Sequence, residues 1–115
     1  MIHDAIRQKM PCFQFGFGFE SPRQFHNNAA HGWDDENSQE VLILADDEAS
    51  AIRWGREISE RFIQLLFKDE SVSWKKLGYA NWIEPHCEGQ EDQQLVVVGE
   101  YPDFSSWLRP YAGET

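Results

Sequence analysis

The sequence predicts an α+β domain: a single mixed four-stranded sheet with one long helix packed across one face and short flanking helices. Three observations carry this. Apolar residues recur in steps of three and four at Ala51, Ile52, Gly55, Ile58, Phe62, Leu65 and Leu66, the period of a helix with one buried face. Phe13, Phe15, Phe17 and Phe19 alternate with Gln14, Gly16, Gly18 and Glu20, the period of a strand with one buried face. Two further apolar runs, at 41–45 and 95–98, are short and bounded by turn-forming or polar residues, as strands are.

The long helix is predicted over 48–67. Asp46 or Asp47 can cap its first turn, and Glu48 sits where the helix dipole favours negative charge. Glu57 and Arg61 form an i, i+4 pair with the acid first, the favoured order. Gly55 costs a helix roughly 1 kcal/mol against alanine. Its position on the apolar face marks a close approach to the sheet. Trp54, at the edge of that face, reads as a half-buried packing residue.

The other elements follow in order. Residues 1–10 have the pattern of a short amphipathic helix, with Ile2, Ala5, Ile6 and Met10 on one side, marginal unless docked. Residues 12–20 form the strand of alternating phenylalanines. Its glycine face leaves a groove where a backbone or ligand could approach. Ser21, Pro22 and Gln24 read as a capping box that opens a helix to about residue 30, with Gly32 available to end it. A polar connection over 33–39 leads into a central strand at 40–45. After the long helix, 74–84 reads as a strand with a bulge at Gly78, and 94–101 as a second strand. These last two are predicted to form a hairpin. The passage from residue 45 to residue 74 suits a crossover between parallel strands. Asp103 can cap a terminal helix carrying Phe104, Trp107, Leu108 and Tyr111, with Pro110 limiting its length.

The 115 residues suit one compact domain, 1–115, in which 1–11 is a loosely docked N-terminal segment. No apolar run approaches the roughly 20 residues of a membrane span, and the first ten lack the apolar core of a signal peptide. The expectation is a soluble cytoplasmic protein. Cys12 and Cys87 are then read as two thiols rather than a disulfide.

Net charge is −10, and its distribution is uneven. Residues 34–48 carry seven acids and 84–104 carry six, with no Lys or Arg in either tract. Nucleic-acid binding needs a basic footprint and is excluded on this pattern. A basic protein partner is permitted, by charge complementarity. Ordinary solubilising loop charge accounts for the same tracts without any partner.

The motifs of common chemistry are absent. The segment GFGFES lacks the third glycine of a dinucleotide fingerprint, and strand alternation runs through its glycines. There is no GxSxG, Walker A, CxxC or HExxH. Cys87 beside His86 has acidic neighbours, Glu84 and Glu88, which favour an inert thiol. His26, His31 and Asp34 are the only metal candidates of note, but the two histidines are five apart, about 140° around a helix. An exposed polar loop accounts for them better. No cofactor is implied, no catalytic residue is assigned, and the reading leans away from an enzyme.

These features point to a small acidic protein-interaction domain. An inhibitor or immunity-type protein directed at a basic enzyme is one concrete form. Its contact residues would be Trp33, Asp34, Asp35, Glu36, Trp82 and Trp107, since tryptophan dominates interface hot spots. The alternative is a small-molecule or metal site between the 26–36 loop and the Gly16–Gly18 strand face. A third reading is a homodimer formed through a strand edge or the C-terminal aromatics. No membrane contact is expected.

Overall fold

In the computed structural model, which describes residues 10–87 and 92–114, the sheet is built outward from β1 (Cys12–Phe19). β1 pairs antiparallel with β2 (Asn37–Leu44) on one side and with β3 (Asn81–Glu84) on the other. β2 pairs in parallel with β4 (Leu95–Val97), giving the order β3-β1-β2-β4. This is the mixed four-stranded sheet that the periodicity predicts. The short helix anticipated over residues 1–10 lies, apart from Met10, outside the described residues.

The first helix of the described residues, α1 (Pro22–His31), begins where Ser21 accepts the Gln24 N–H and ends at Gly32 in the left-handed region, φ 69°. The capping box is completed differently from expectation. Gln24 turns its amide to Asn28, and the Ser21 N–H donates instead to Asn37 Oδ1 at 3.0 Å. That bond ties the start of α1 to the start of β2.

The long helix, α2 (Glu48–Phe67), is capped by Asp47, whose carboxylate accepts the Ser50 N–H at 2.8 Å. It lies across the phenylalanine face of β1. Phe15, Phe17 and Phe19 are fully buried there against Ile58, Phe62 and Ile63. Phe62 meets Phe19 edge-on at 5.0 Å between ring centroids and Phe17 at 5.9 Å, contacts worth about 0.5–1.5 kcal/mol beyond area burial. A Cβ on Gly55 would come within 2.5 Å of the Phe15 ring, which is the close approach its position implies. The buried Ser59 hydroxyl donates back to the Gly55 carbonyl at 2.8 Å, so it leaves no orphan donor.

Residues 74–84 do not form one strand. They divide into α3 (Trp74–Leu77) and β3. The Ser73 side chain caps α3, and Gly78, at φ 79°, ends it rather than forming a bulge. The indole of Trp74 explains the turn. It is buried, and its N–H must find an acceptor; the helical turn delivers it to the Gly18 carbonyl at 2.8 Å. The Gly18 N–H then bonds the Ala80 carbonyl, which sets β3 alongside β1.

The anticipated hairpin of the last two strands does not form either. β3 and β4 occupy opposite edges, with β1 and β2 between them. β4 is apolar on both faces, and it lies beside the part of β2 that is buried on both faces, Leu42 and Leu44 included. Parallel burial of that kind favours a run without alternation. β3 alternates, and it takes the edge.

The thiol reading is also corrected. Cys12 and Cys87 are joined in a disulfide, with Cα atoms 5.9 Å apart. The antiparallel register between β1 and β3, Gln14 opposite Glu84, carries the chain back to the start of β1 just beyond Pro85. That return is invisible until strand order is known.

The chain closes with α4 (Phe104–Leu108), capped by Asp103, and a 3-10 turn over Arg109–Tyr111. This segment docks on the core, as its four large apolar side chains require. Trp107 is buried at 6% exposure, edge-on to Phe62 and tilted against Phe17. It is therefore core, not the surface contact residue anticipated for it.

Candidate functional site

With α2 on one face of the sheet, the other face is composed of the opposite parity. Register assigns to it Gln14, Gly16 and Gly18 of β1, Ser38, Glu40 and Leu42 of β2, and Trp82 and Glu84 of β3. The row through its centre runs Trp82, Gly16, Glu40, because both residues pair with Gly16. This face, open at Trp82 and Glu84, which are exposed, though Gln14 and Leu42 on it are buried, is the candidate site.

The glycines do not leave the groove anticipated over them. The Trp82 indole occupies the space that a side chain on Gly16 would take. One Glu36 carboxylate oxygen lies 2.5 Å from where a Gly18 Cβ would stand. Gly16 and Gly18 sit two residues apart on one face, about 6.7 Å along the strand. An indole and a carboxylate therefore lie side by side over β1. Glu40 approaches from the other flank and accepts the Gln14 side-chain amide. The register positions of this face hold Glu40 and Glu84 and no Lys or Arg, and Glu36, over Gly18, adds a third carboxylate.

The far end of the face is also acidic. Glu20 accepts the Tyr79 hydroxyl at 2.5 Å and the Asn28 amide. Burial, then the hydrogen bond and charge of Glu20, then the charge of Glu36 push the Tyr79 hydroxyl well above its ordinary range. Asn28 also donates to the Asp35 carbonyl at 2.7 Å, which fixes the linker that delivers Glu36.

Cations collect on the helix side instead. A cleft of about 390 Å³ there is lined by Arg53, Trp54, Arg56 and Lys75 among others. Lys75 pairs with Glu57, Arg56 donates to Asn81 at 2.9 Å and lies over the Trp74 ring, and Arg53 donates to Ser50.

Of the sequence-predicted contact residues, the structure brings Glu36 and Trp82 together over the glycine pair. Trp33 is 52% exposed and stacks on His31 at 4.4 Å between centroids, on the linker that leads to Glu36. Asp34 and Asp35 are exposed on the same linker. Among the described residues no three His, Cys, Asp or Glu side chains are grouped to hold a metal ion, so His26, His31 and Asp34 do not converge. Cys87, held in the disulfide, is no nucleophile. The acids Glu88 and Glu91 of the second tract fall outside the described residues. Sequence reasoning missed Glu40 and Glu84 as site residues. Their parity with Gly16 was readable only once the pairing was known.

No helix among the described residues is long and apolar enough to cross a membrane. No protein-family model, curated protein or solved structure matches the chain.

Proposed function

We propose that this protein is a small interaction domain that binds a basic polypeptide on the open face of its sheet. The observation that carries the reading is the Trp82 indole lying over Gly16 with the Glu36 carboxylate beside it over Gly18. An aromatic ring flanked by carboxylates suits a lysine ammonium or arginine guanidinium: the ring face attracts the cation, and the acids pair with it. Trp82, at 38% exposure, keeps part of its indole available. Glu40 and Glu84 extend the negative field to either side, and the exposed linker adds Trp33, Asp34 and Asp35. An inhibitor or immunity-type role against a basic enzyme is the specific form that this chemistry favours.

The compartment reading moves with the disulfide. A Cys12–Cys87 bridge fits an oxidising setting better than the cytoplasm that the thiol reading implied.

The test uses a defined probe, a tetra-arginine peptide, titrated against the protein while backbone amide resonances of β1 and β3, present in every variant, are followed by NMR together with the Trp82 indole N–H. Binding should weaken roughly tenfold between 50 and 300 mM salt, because the surface ion pairs are screened. Trp82→Ala should cost a further two- to fivefold, the worth of about 0.5–1 kcal/mol of cation–π contact. Glu36→Gln should cost a similar factor. Affinity indifferent to both substitutions would remove the reading.

A further inference from the structure

Among the described residues, the outer edge of β2 is paired over only part of its length. β2 has eight residues, and β4 pairs with its last three, Leu42 to Leu44. The Leu42 N–H donates to the Gln94 carbonyl, so the even-numbered residues of β2 turn their backbone groups toward the β4 side. Ser38 and Glu40 therefore point their N–H and C=O groups outward where β4 does not reach. Among the described residues no backbone group bonds them there; the Glu40 carbonyl accepts only a long bond, 3.3 Å, from the Gln39 side chain.

Beside this edge, between it and residues 92–94, lies a cleft of about 380 Å³. Its walls include Ser38 and Glu40 on one side and Asp92, Gln94 and Ser106 on the other. Gln94 is a fixed wall: its amide donates to the Asp103 carbonyl at 2.8 Å and to Ser106, and its oxygen accepts the Asp103 N–H. The lining residues include two carboxylates and no cation. The cleft lies in line with β4, where a longer β4 would have continued along β2.

We propose that the 38–40 edge of β2 takes an extended basic peptide segment as an added strand in line with β4. Its backbone would satisfy the Ser38 and Glu40 groups, the mode of strand addition used at exposed sheet edges. Every second guest side chain would project on the open face, beside Glu40. The inference rests on the reading that the protein binds a basic polypeptide, and it assigns the segment's conformation and register.

The experiment uses an acetylated, amidated decapeptide of alternating threonine and lysine, and the same peptide with its four central amides replaced by esters. Added to the intact protein, the amide peptide should slow hydrogen exchange at Ser38 and Glu40 by tenfold or more. The ester peptide should bind roughly tenfold more weakly, for loss of backbone bonds each worth about 1 kcal/mol. Ser38→Pro should abolish the protection, since that N–H faces the edge and serves no internal ladder. Equal binding of both peptides, with shifts confined to Trp82 and Glu36, would overturn the edge proposal and leave the open-face reading standing. No binding of the amide peptide overturns it as well. So does protection of Ser38 and Glu40 without peptide in step with a doubling of mass, since a second copy then occupies the edge.

Discussion

The Trp82 indole fills the volume that a side chain on Gly16 would need, and the two residues are also direct partners in the β1–β3 ladder. Strand glycine ordinarily weakens a sheet by roughly 0.5–1 kcal/mol. Here it provides the bed for an aromatic ring. Gly16→Ala should therefore destabilise the protein by about 1 kcal/mol, the low end of the overpacking range, because the half-exposed ring can swing outward. In a Trp82→Ala background the same change should be neutral or stabilising. Urea midpoints of the four proteins test this, and equal effects in both backgrounds would refute it.

Gly55→Ala offers a sharper contrast. In an exposed helix this change gains about 1 kcal/mol. The Phe15 ring stands within 2.5 Å of the new methyl and is fully buried, so it has nowhere to move. The expected result is a net loss of about 1–3 kcal/mol by thermal or urea unfolding. A gain would mean that the helix and sheet are not in contact at this point.

The disulfide joins residues 75 apart in sequence and anchors the exit of β3 to the entry of β1. Loop-closure entropy assigns such a bridge about 4 kcal/mol, and measured values usually run lower. Reduction, or Cys12→Ser with Cys87→Ser, should lower the urea midpoint by the equivalent of about 2–4 kcal/mol. An unchanged midpoint under reducing conditions would mean that the bridge does not constrain the unfolded chain.

Acid should weaken the fold through its helix and turn caps. Asp47 is held below the usual 3.8 by the Ser50 N–H and then the Ser50 hydroxyl. Asp69 and Asp103 are held below it by the hydroxyls and then the N–H groups of Ser71 and Ser105. A carboxyl whose pKa is depressed on folding stabilises above its unfolded value and loses that contribution as pH falls through the folded one. Stability should thus be level from neutrality to about pH 4 and fall below it. Asp47→Asn retains a cap that does not titrate, so its stability should vary less between pH 5 and pH 2. An acid limb as steep as wild type would exclude Asp47 as a contributor.

Two tryptophans should behave oppositely. Trp107→Ala opens a cavity among Phe17, Phe62 and Phe104 and should cost about 3–5 kcal/mol. Trp33→Ala removes an exposed ring that stacks on His31, and should fall within about 0.5 kcal/mol of wild type. Calorimetry distinguishes the two directly.

Half of the candidate site was legible in the chain. Glu36 and Trp82 stand out as an acid in a charge tract and as a tryptophan too many for the core. Nothing local says that they meet, because they stand 46 positions apart in the chain with the whole of α2 between them. Glu40 and Glu84 gain their role through register with β1, and register is a property of pairs of strands. Trp107 misled for the same reason: a tryptophan reads alike in sequence whether its ring faces water or Phe62.

Local regularities determined the rest. The 3.6-residue period and the Asp47 cap define α2, and the period of two defines β1, because both arise from directions of side chains along a single backbone. The capping of α1 by Ser21 belongs to the same class. Strand order, the division of 74–84 at Gly78, and the Cys12–Cys87 bridge were decided by the tertiary structure. Each depends on a contact between distant segments: an indole N–H seeking the Gly18 carbonyl, a doubly apolar β4 seeking the most buried part of β2, and an antiparallel return that brings two sulfurs together. Such contacts are chosen by burial and hydrogen-bond satisfaction across the whole fold, and no window of sequence contains both partners.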